Sequence, residues 1–180
     1  MRYKISELED QLIATLRADT TNFPASEVRI DTYAGQIDSR MFTDPAYMQG
    51  FVQLLPFVLI SYQGRATRER GDRDSAAQTY IHTVYFRVFV GSKSLRTTQE
   101  AARGCYDLMA GVYDDLHGRV PLSTPQQMPN LPRLSGTTIT TSEFNCVGPV
   151  FEAGGRDESL VINLPGIVVY QSDYSLRQLA

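Results

Sequence analysis

Two histidines, two cysteines and a few neighbouring acids are the side chains of this 180-residue sequence with types suited to chemistry. His82 stands inside an alternating apolar run and has the pKa range of a general base, a role that needs a nucleophile or a carboxylate within hydrogen-bond reach. No nucleophile motif lies beside it, and a lone histidine in such a run reads as a packed or interfacial residue. His117 follows a helical stripe, where the negative end of the helix dipole favours a cation, so it has a structural reason to be there. Cys105 and Cys146 fit no metal or redox spacing and read as two reduced thiols buried as small apolar side chains. Asp114 and Asp115 look paired, yet adjacent helical residues point about 100° apart. Only residues three or four apart share a face, so these two read as part of a solvated surface. Gly64, Gly71, Gly91, Gly154 and Gly155 match neither the phosphate loop nor the dinucleotide fingerprint, and no His, Cys or acidic cluster has zinc spacing. The expectation is a chain with no catalytic residue, no cofactor and no metal. A small hydrolase using His82 with one of the acids is the remote rival.

The most unusual segment is residues 64–78, where Arg65, Arg68, Arg70 and Arg73 interleave with Glu69, Asp72 and Asp74. Read as a loop it is far longer than the 2–5 residues of a usual hairpin connection. Charged, glycine-containing excursions are commonly solvated surface. The functional reading is a contact arm, because arginine and carboxylate form bidentate pairs across subunit boundaries. Arg65, Arg68, Glu69, Arg70, Asp72, Arg73 and Asp74 are therefore the interface candidates. Deleting residues 65–74 is expected to leave the fold intact while weakening assembly.

Composition narrows the partners. Lys plus Arg number 17 and Asp plus Glu 20, a formal charge of −3. A mildly acidic chain without a basic stripe is a poor match for a phosphate backbone, so direct nucleic-acid recognition is not expected. The N-terminus lacks the unbroken apolar core of a signal peptide. The longest apolar run, residues 54–60, is interrupted by Pro56 and falls far short of the ~20 residues that span a membrane. A 42% hydrophobic sequence of this length has room for one domain over residues 1–180.

The elements that must position these residues follow from periodicity. Ile5, Leu8, Leu12, Ile13 and Leu16 form one stripe of a helix over residues 4–17. A short strand over 28–32 alternates apolar and charged residues, and residues 36–50 give mixed signals that read as irregular or short helical structure. Residues 54–62 are apolar on both alternations, as a strand covered on both faces would be, with Pro56 confined to its start or to an edge. The strongest strand signal is 80–90. There Tyr80, His82, Val84, Phe86, Val88 and Val90 share one face, and Ile81, Thr83, Tyr85, Arg87 and Phe89 the other. Ala101, Ala102, Cys105, Leu108, Met109, Val112 and Leu116 mark a helix over 98–116, stopped by Gly118. Four prolines make residues 121–135 an extended connection. Strand material returns at 137–146, at Val150 and Phe151, at 160–162 and at 167–170, with Pro165 and Gly166 suited to a type II turn. The whole reads as an α+β domain, two principal helices packed on one mainly antiparallel sheet.

Four places in the chain resemble the Mu-like phage gp37 family, associated with the tail terminator of contractile-tailed phages. They are the opening helix around Ile5 and Leu16, the TYAGQID string at 32–38, the PFVLISYQG string at 56–64, and the long strand and helix over 80–116. The resemblance implies a virion subunit assembled in the host cytoplasm that closes into a ring of six at the head-proximal end of the tail. Its implied partners are itself, the tail tube with the sheath beside it, and a head-side neck or connector protein, with DNA only passing through the ring. The family has no catalytic motif to carry over. Another neck, head-completion or tail-assembly protein with a similar core is the alternative.

Overall fold

A computed structural model describes residues 5–70, 79–96, 103–116, 150–153 and 158–179. Helix α1, Ile5–Ala18, leads into β1, Arg29–Thr32. A 3-10 helix, Ser39–Phe42, and α2, Pro45–Val52, then precede the long strands β2, Phe57–Arg70, and β3, Thr79–Ser92. Helix α3, Cys105–Leu116, is followed by β4, Val150–Ala153, β5, Ser159–Leu164, and β6, Ile167–Leu179. Six strands form one sheet in the order β1-β2-β3-β6-β4, with β5 also pairing to β6. Among the described strands only β1 and β2 are parallel, so this is an α+β fold on a mostly antiparallel sheet.

The apolar periodicities account for the layers. Leu8, Leu12, Ile13 and Leu16 of α1 and Leu108, Val112 and Leu116 of α3 are buried against Val58 and Ile60 of β2, and against Val84, Phe86, Val88 and Val90 of β3. Each such side chain contributes roughly 1.5–3 kcal/mol relative to exposure. The alternate residues of the same strands, Phe57, Leu59 and Phe89, meet Met41 of the 3-10 helix, Phe51 of α2, and Ile167 and Val169 of β6. The run at 54–62 was therefore apolar on both alternations because it is covered on both faces. A parallel pair cannot be closed by a tight turn. The 3-10 helix and α2 supply the crossover between β1 and β2, capped by Asp38, which accepts from the Arg40 N–H, and by Asp44, which accepts from Ala46 and Tyr47. They place a second helical layer on the face opposite the two principal helices.

Several boundaries differ from the sequence expectation. Residues 64–70 are not loop: β2 continues through a bulge at Gln63 to Arg70, and its partners run from Gly64 opposite Tyr85 to Arg70 opposite Thr79. Backbone pairing overrode a composition that looked solvated, with Gly64 taking φ 147° at the bulge. Deleting 65–74 would therefore remove half of a ladder, so the segment is better probed by substitution. The final strand extends from the expected 167–170 to Leu179, because it pairs with β3 along almost the whole length of both. Helix α3 starts at Cys105, after non-helical Arg103 and Gly104. The Cys105 and Tyr106 N–H groups donate to the carbonyls of Ser94 (3.0 Å) and Leu95 (3.1 Å), so the exit of β3 satisfies the first turn of the helix.

Other expectations hold. Pro56 immediately precedes β2, and Gly166 at φ 75° with Pro165 makes the two-residue turn between β5 and β6. The expected strand at 137–146, the connection at 121–135, His117, Gly118 and Cys146 lie outside the described residues.

Candidate functional site

The interface candidates fall in the part of the sheet beyond the described apolar core. On the helix-bearing face, the described core ends at Ile60 on β2, Val84 on β3 and Tyr174 on β6. Beyond those positions β2, β3 and β6 continue as a hairpin with a third strand, and β4 adds along β6 from Val150 opposite Arg177 to Ala153 opposite Tyr174. Six further residues on β2, Arg65 to Arg70, extend the sheet by about 20 Å at ~3.4 Å per residue. Arg65, Arg68, Glu69 and Arg70 stand here opposite Val84, Ile81, Tyr80 and Thr79. Asp72, Arg73 and Asp74 lie outside the described residues. The structure thus brings four of the seven candidates onto one strand of this distal blade.

The two edges of the sheet are treated differently along their length. Strand β1 covers β2 only from Phe57 to Ile60. At the next outward position the Tyr62 N–H donates to Glu9 Oε1 of α1 at 3.2 Å. Burial pushes the Glu9 carboxyl above its ordinary range, opposed by that hydrogen bond. The outer edge of β1 is itself closed. Arg17 donates to the Ile30 carbonyl at 2.6 Å, the Thr32 N–H is taken by Asp31 at 2.9 Å, and Gln36 donates to the Thr32 carbonyl at 3.3 Å. A cleft of about 570 Å³ runs along this edge, lined by Arg17, Glu27, Arg29 and Asp31 among others. From Gly64 to Arg70, by contrast, no strand pairs with the outer edge of β2 among the described residues, and an unpaired edge is a template for another chain.

On the face opposite that core, where the blade begins, the sheet carries a paired charge. Arg87 donates through Nε and Nη2 to both carboxylate oxygens of Asp173, at 2.6 and 2.9 Å, in a fork-to-fork bridge linking β3 to β6. Tyr85, 44% exposed, lies beside it, and with Gln63 and Ser175 they border a cavity of about 320 Å³.

The residues first considered for chemistry are dispersed. His82 lies on β3 opposite Thr67 and Gln178. Cys105 is a buried free thiol whose Sγ donates to the Val168 carbonyl at 3.2 Å, and burial pushes its pKa up to about 11. Asp114 is exposed as expected, but Asp115 is buried, correcting the solvated reading of the pair. Asp115 sits at the end of α3 with its side chain hydrogen-bonded to Asp19. Asp19 also accepts from the Asn22 and Thr21 N–H groups, and these bonds hold its carboxyl below the ordinary range. Among the described residues no group of three or more His, Cys, Asp or Glu is placed to hold a metal, and no helix is long and apolar enough to cross a membrane.

Sequence reasoning passed over a second surface. Tyr106 and Tyr113, two turns apart on α3, are 45% and 41% exposed on the side away from the Leu108 and Val112 stripe. The Tyr106 ring lies 6.0 Å from that of Tyr170 on β6. Hydrogen bonding to Tyr106 raises the Tyr170 phenol. The spacing of Tyr106, Met109 or Ala110, and Tyr113 was the available signal: a second stripe on an already amphipathic helix.

The TYAGQID and PFVLISYQG strings, which begin 24 residues apart at Thr32 and Pro56, come together in space. The Tyr33 N–H donates to the Ile60 carbonyl at 2.7 Å, the Tyr33 hydroxyl donates to the Ile37 carbonyl at 3.0 Å, and the Tyr33 ring packs 4.8 Å from Phe89. No protein-family model and no curated protein matches the chain.

Proposed function

We propose that this protein is a structural subunit of a phage virion, a tail terminator that closes into a ring on the end of the tail tube and offers a docking face to head-side neck proteins. The observation that carries the reading is the distal blade, in which strands of a well-covered sheet run on past the described core into a charged segment with an open edge. A single copy leaves that edge unpaired among the described residues, whereas a neighbouring subunit would cover it. A ring of identical subunits needs a surface of this kind, since head-to-tail contacts join two different patches and closure stops further addition. The packing of the TYAGQID and PFVLISYQG segments into one seam supports the family resemblance as a resemblance of a folded unit. The protein acts through surface complementarity and not through catalysis, with the tail tube, a neck protein and other copies of itself as partners.

Electron microscopy of the purified chain mixed with tail tubes tests this. The expected result is a collar at one end of each tube. Tails made without the protein that still terminate and join heads normally, or substrate turnover by the purified chain, would overturn it.

A further inference from the structure

We infer that the cleft between α3 and the start of β5 is a docking site for an arginine-bearing segment of another protein, an inference that stands whether or not the chain forms rings. The cleft holds about 320 Å³ and is lined by Tyr106, Met109, Ala110, Tyr113, Asp114 and Glu158. That is the low end of the roughly 300–1,000 Å³ of ligand pockets, which suits one anchoring side chain better than a whole small molecule. Tyr106, Ala110 and Tyr113 follow at helical spacing and share one stripe of α3. The two tyrosines stand about 10 Å apart along the axis at ~1.5 Å per residue, and the small Ala110 side chain leaves the space between them open. Leu160, 46% exposed, is paired with Tyr170, whose ring meets that of Tyr106, and extends the exposed apolar surface past the cleft. Exposed apolar groups gathered in this way and rimmed by charge mark a contact site.

Charge complementarity names the occupant. Asp114 and Glu158 are exposed acids, and none of the lining residues is basic. Their negative field reaches the neighbouring strand. Burial and then the charge of Glu158 raise the Tyr174 phenol, and Glu158 adds to the Tyr106 hydrogen bond and to burial in raising that of Tyr170. The chain itself shows what satisfies a tyrosine beside a carboxylate. At the crossover, the Arg40 guanidinium lies 4.5 Å from the Tyr47 ring centroid while its Nη2 pairs with Asp38 at 3.1 Å. The α3 cleft offers the same two kinds of partner, ring and carboxylate, with no cation among its lining residues. A planar guanidinium can stack on a tyrosine and take a carboxylate through its fork at once, which an ammonium cannot do. An apolar segment would bury the carboxylates without a counter-charge, and an acidic one would meet like charge.

Titration of the full chain, labelled in its tyrosine rings, with a short blocked peptide carrying arginine on either side of leucine tests the site by nuclear magnetic resonance. The Tyr106 and Tyr113 signals should shift and those of Tyr33 and Tyr85 should not, with a Kd on the order of 1 mM or tighter. The same peptide with citrulline, which keeps the shape and loses the charge, should bind about tenfold or more weaker. Asp114→Asn with Glu158→Gln should weaken the arginine peptide by a similar factor. Ala110→Arg should do so as well, by filling the cleft with the chain's own guanidinium. Ala110 is exposed and arginine is a good helix former, so this variant keeps the measurement open should the charge variant fail to fold. No shift at millimolar peptide, equal binding of the citrulline peptide, or binding untouched by Ala110→Arg overturns the inference. So does a wild-type chain that self-associates in sedimentation velocity and becomes monomeric with Ala110→Arg, since the cleft would then belong to a second copy. The terminator reading is tested separately by collars on tail tubes, so either conclusion can fail without the other.

Discussion

The same three strands build two regions with opposite characters. Near Phe57, Phe89 and Val169 the sheet lies between helical layers and both faces are apolar. Past Gly64 on β2 and Tyr85 on β3 the hydrogen-bonded ladder continues, but the sequence turns to RATRER and the described core does not follow. The comparison teaches that strand pairing and burial are separable. Backbone hydrogen bonds can extend a sheet well beyond its core, and what the side chains then do is available for other molecules. The covered half carries the stability of the fold, and on the proposed reading the blade carries its contacts.

Substitutions in the covered half should therefore cost most. Phe57 is fully buried between α2 and β3, its ring edge-on to Phe51 at 5.5 Å. Phe57→Ala is expected to destabilise by about 3–5 kcal/mol in a urea melt. A loss below about 1 kcal/mol would mean that the second face is not a true core. Next in size is Gly91→Ala: the added Cβ would lie 2.4 Å from the Phe57 ring, and the resulting overpacking should cost about 1–3 kcal/mol by the same measurement. Removing the α2 cap with Asp44→Ala should cost about 1 kcal/mol, since the Ala46 and Tyr47 N–H groups lose their acceptor.

In the blade, Arg65→Ala should change the melt by less than about 0.5 kcal/mol, because the residue is exposed. Its effect should appear only in association, and a large effect on folding would erase the contrast between the two regions.

Acid–base behaviour sharpens the same contrast. Cys105, pushed up to about 11 from 9.0, stays protonated in the folded chain where an unfolded one has begun to ionise. The unfolded state then binds fewer protons, so stability falls as pH rises above about 9. A thiol reagent at pH 8 should leave Cys105 unmodified until denaturant is added, and prompt labelling of a Cys146→Ser variant in the native state would contradict its burial. Glu9 has the same sign at lower pH. Its raised carboxyl favours the folded state in acid and gives up that contribution as pH rises through its folded pKa, so Glu9→Gln should be slightly stabilising at neutral pH in a comparison of melts.

Much of this architecture was legible in the sequence, for reasons tied to particular residues. The α1 stripe, the alternation from Val84 to Val90, and the Pro165-Gly166 turn are local patterns whose period or backbone requirement names one structure. The end of β2 was not legible. RATRER has no apolar alternation, and its strand state comes from antiparallel pairing with residues 79–84. Asp115 escaped for a related reason, since adjacency to Asp114 spoke only of helical angle and said nothing of Asp19 arriving from α1.

By itself, the sequence determined which residues had to be inside and therefore where helices and strands lie, because burying apolar side chains is a local periodic constraint. The tertiary structure alone decided how far the ladder runs past that core, which edge is closed by Arg17 and Glu9, and that Tyr106 meets Tyr170. Those outcomes depend on partners distant in the chain, and no local period encodes the distance between them.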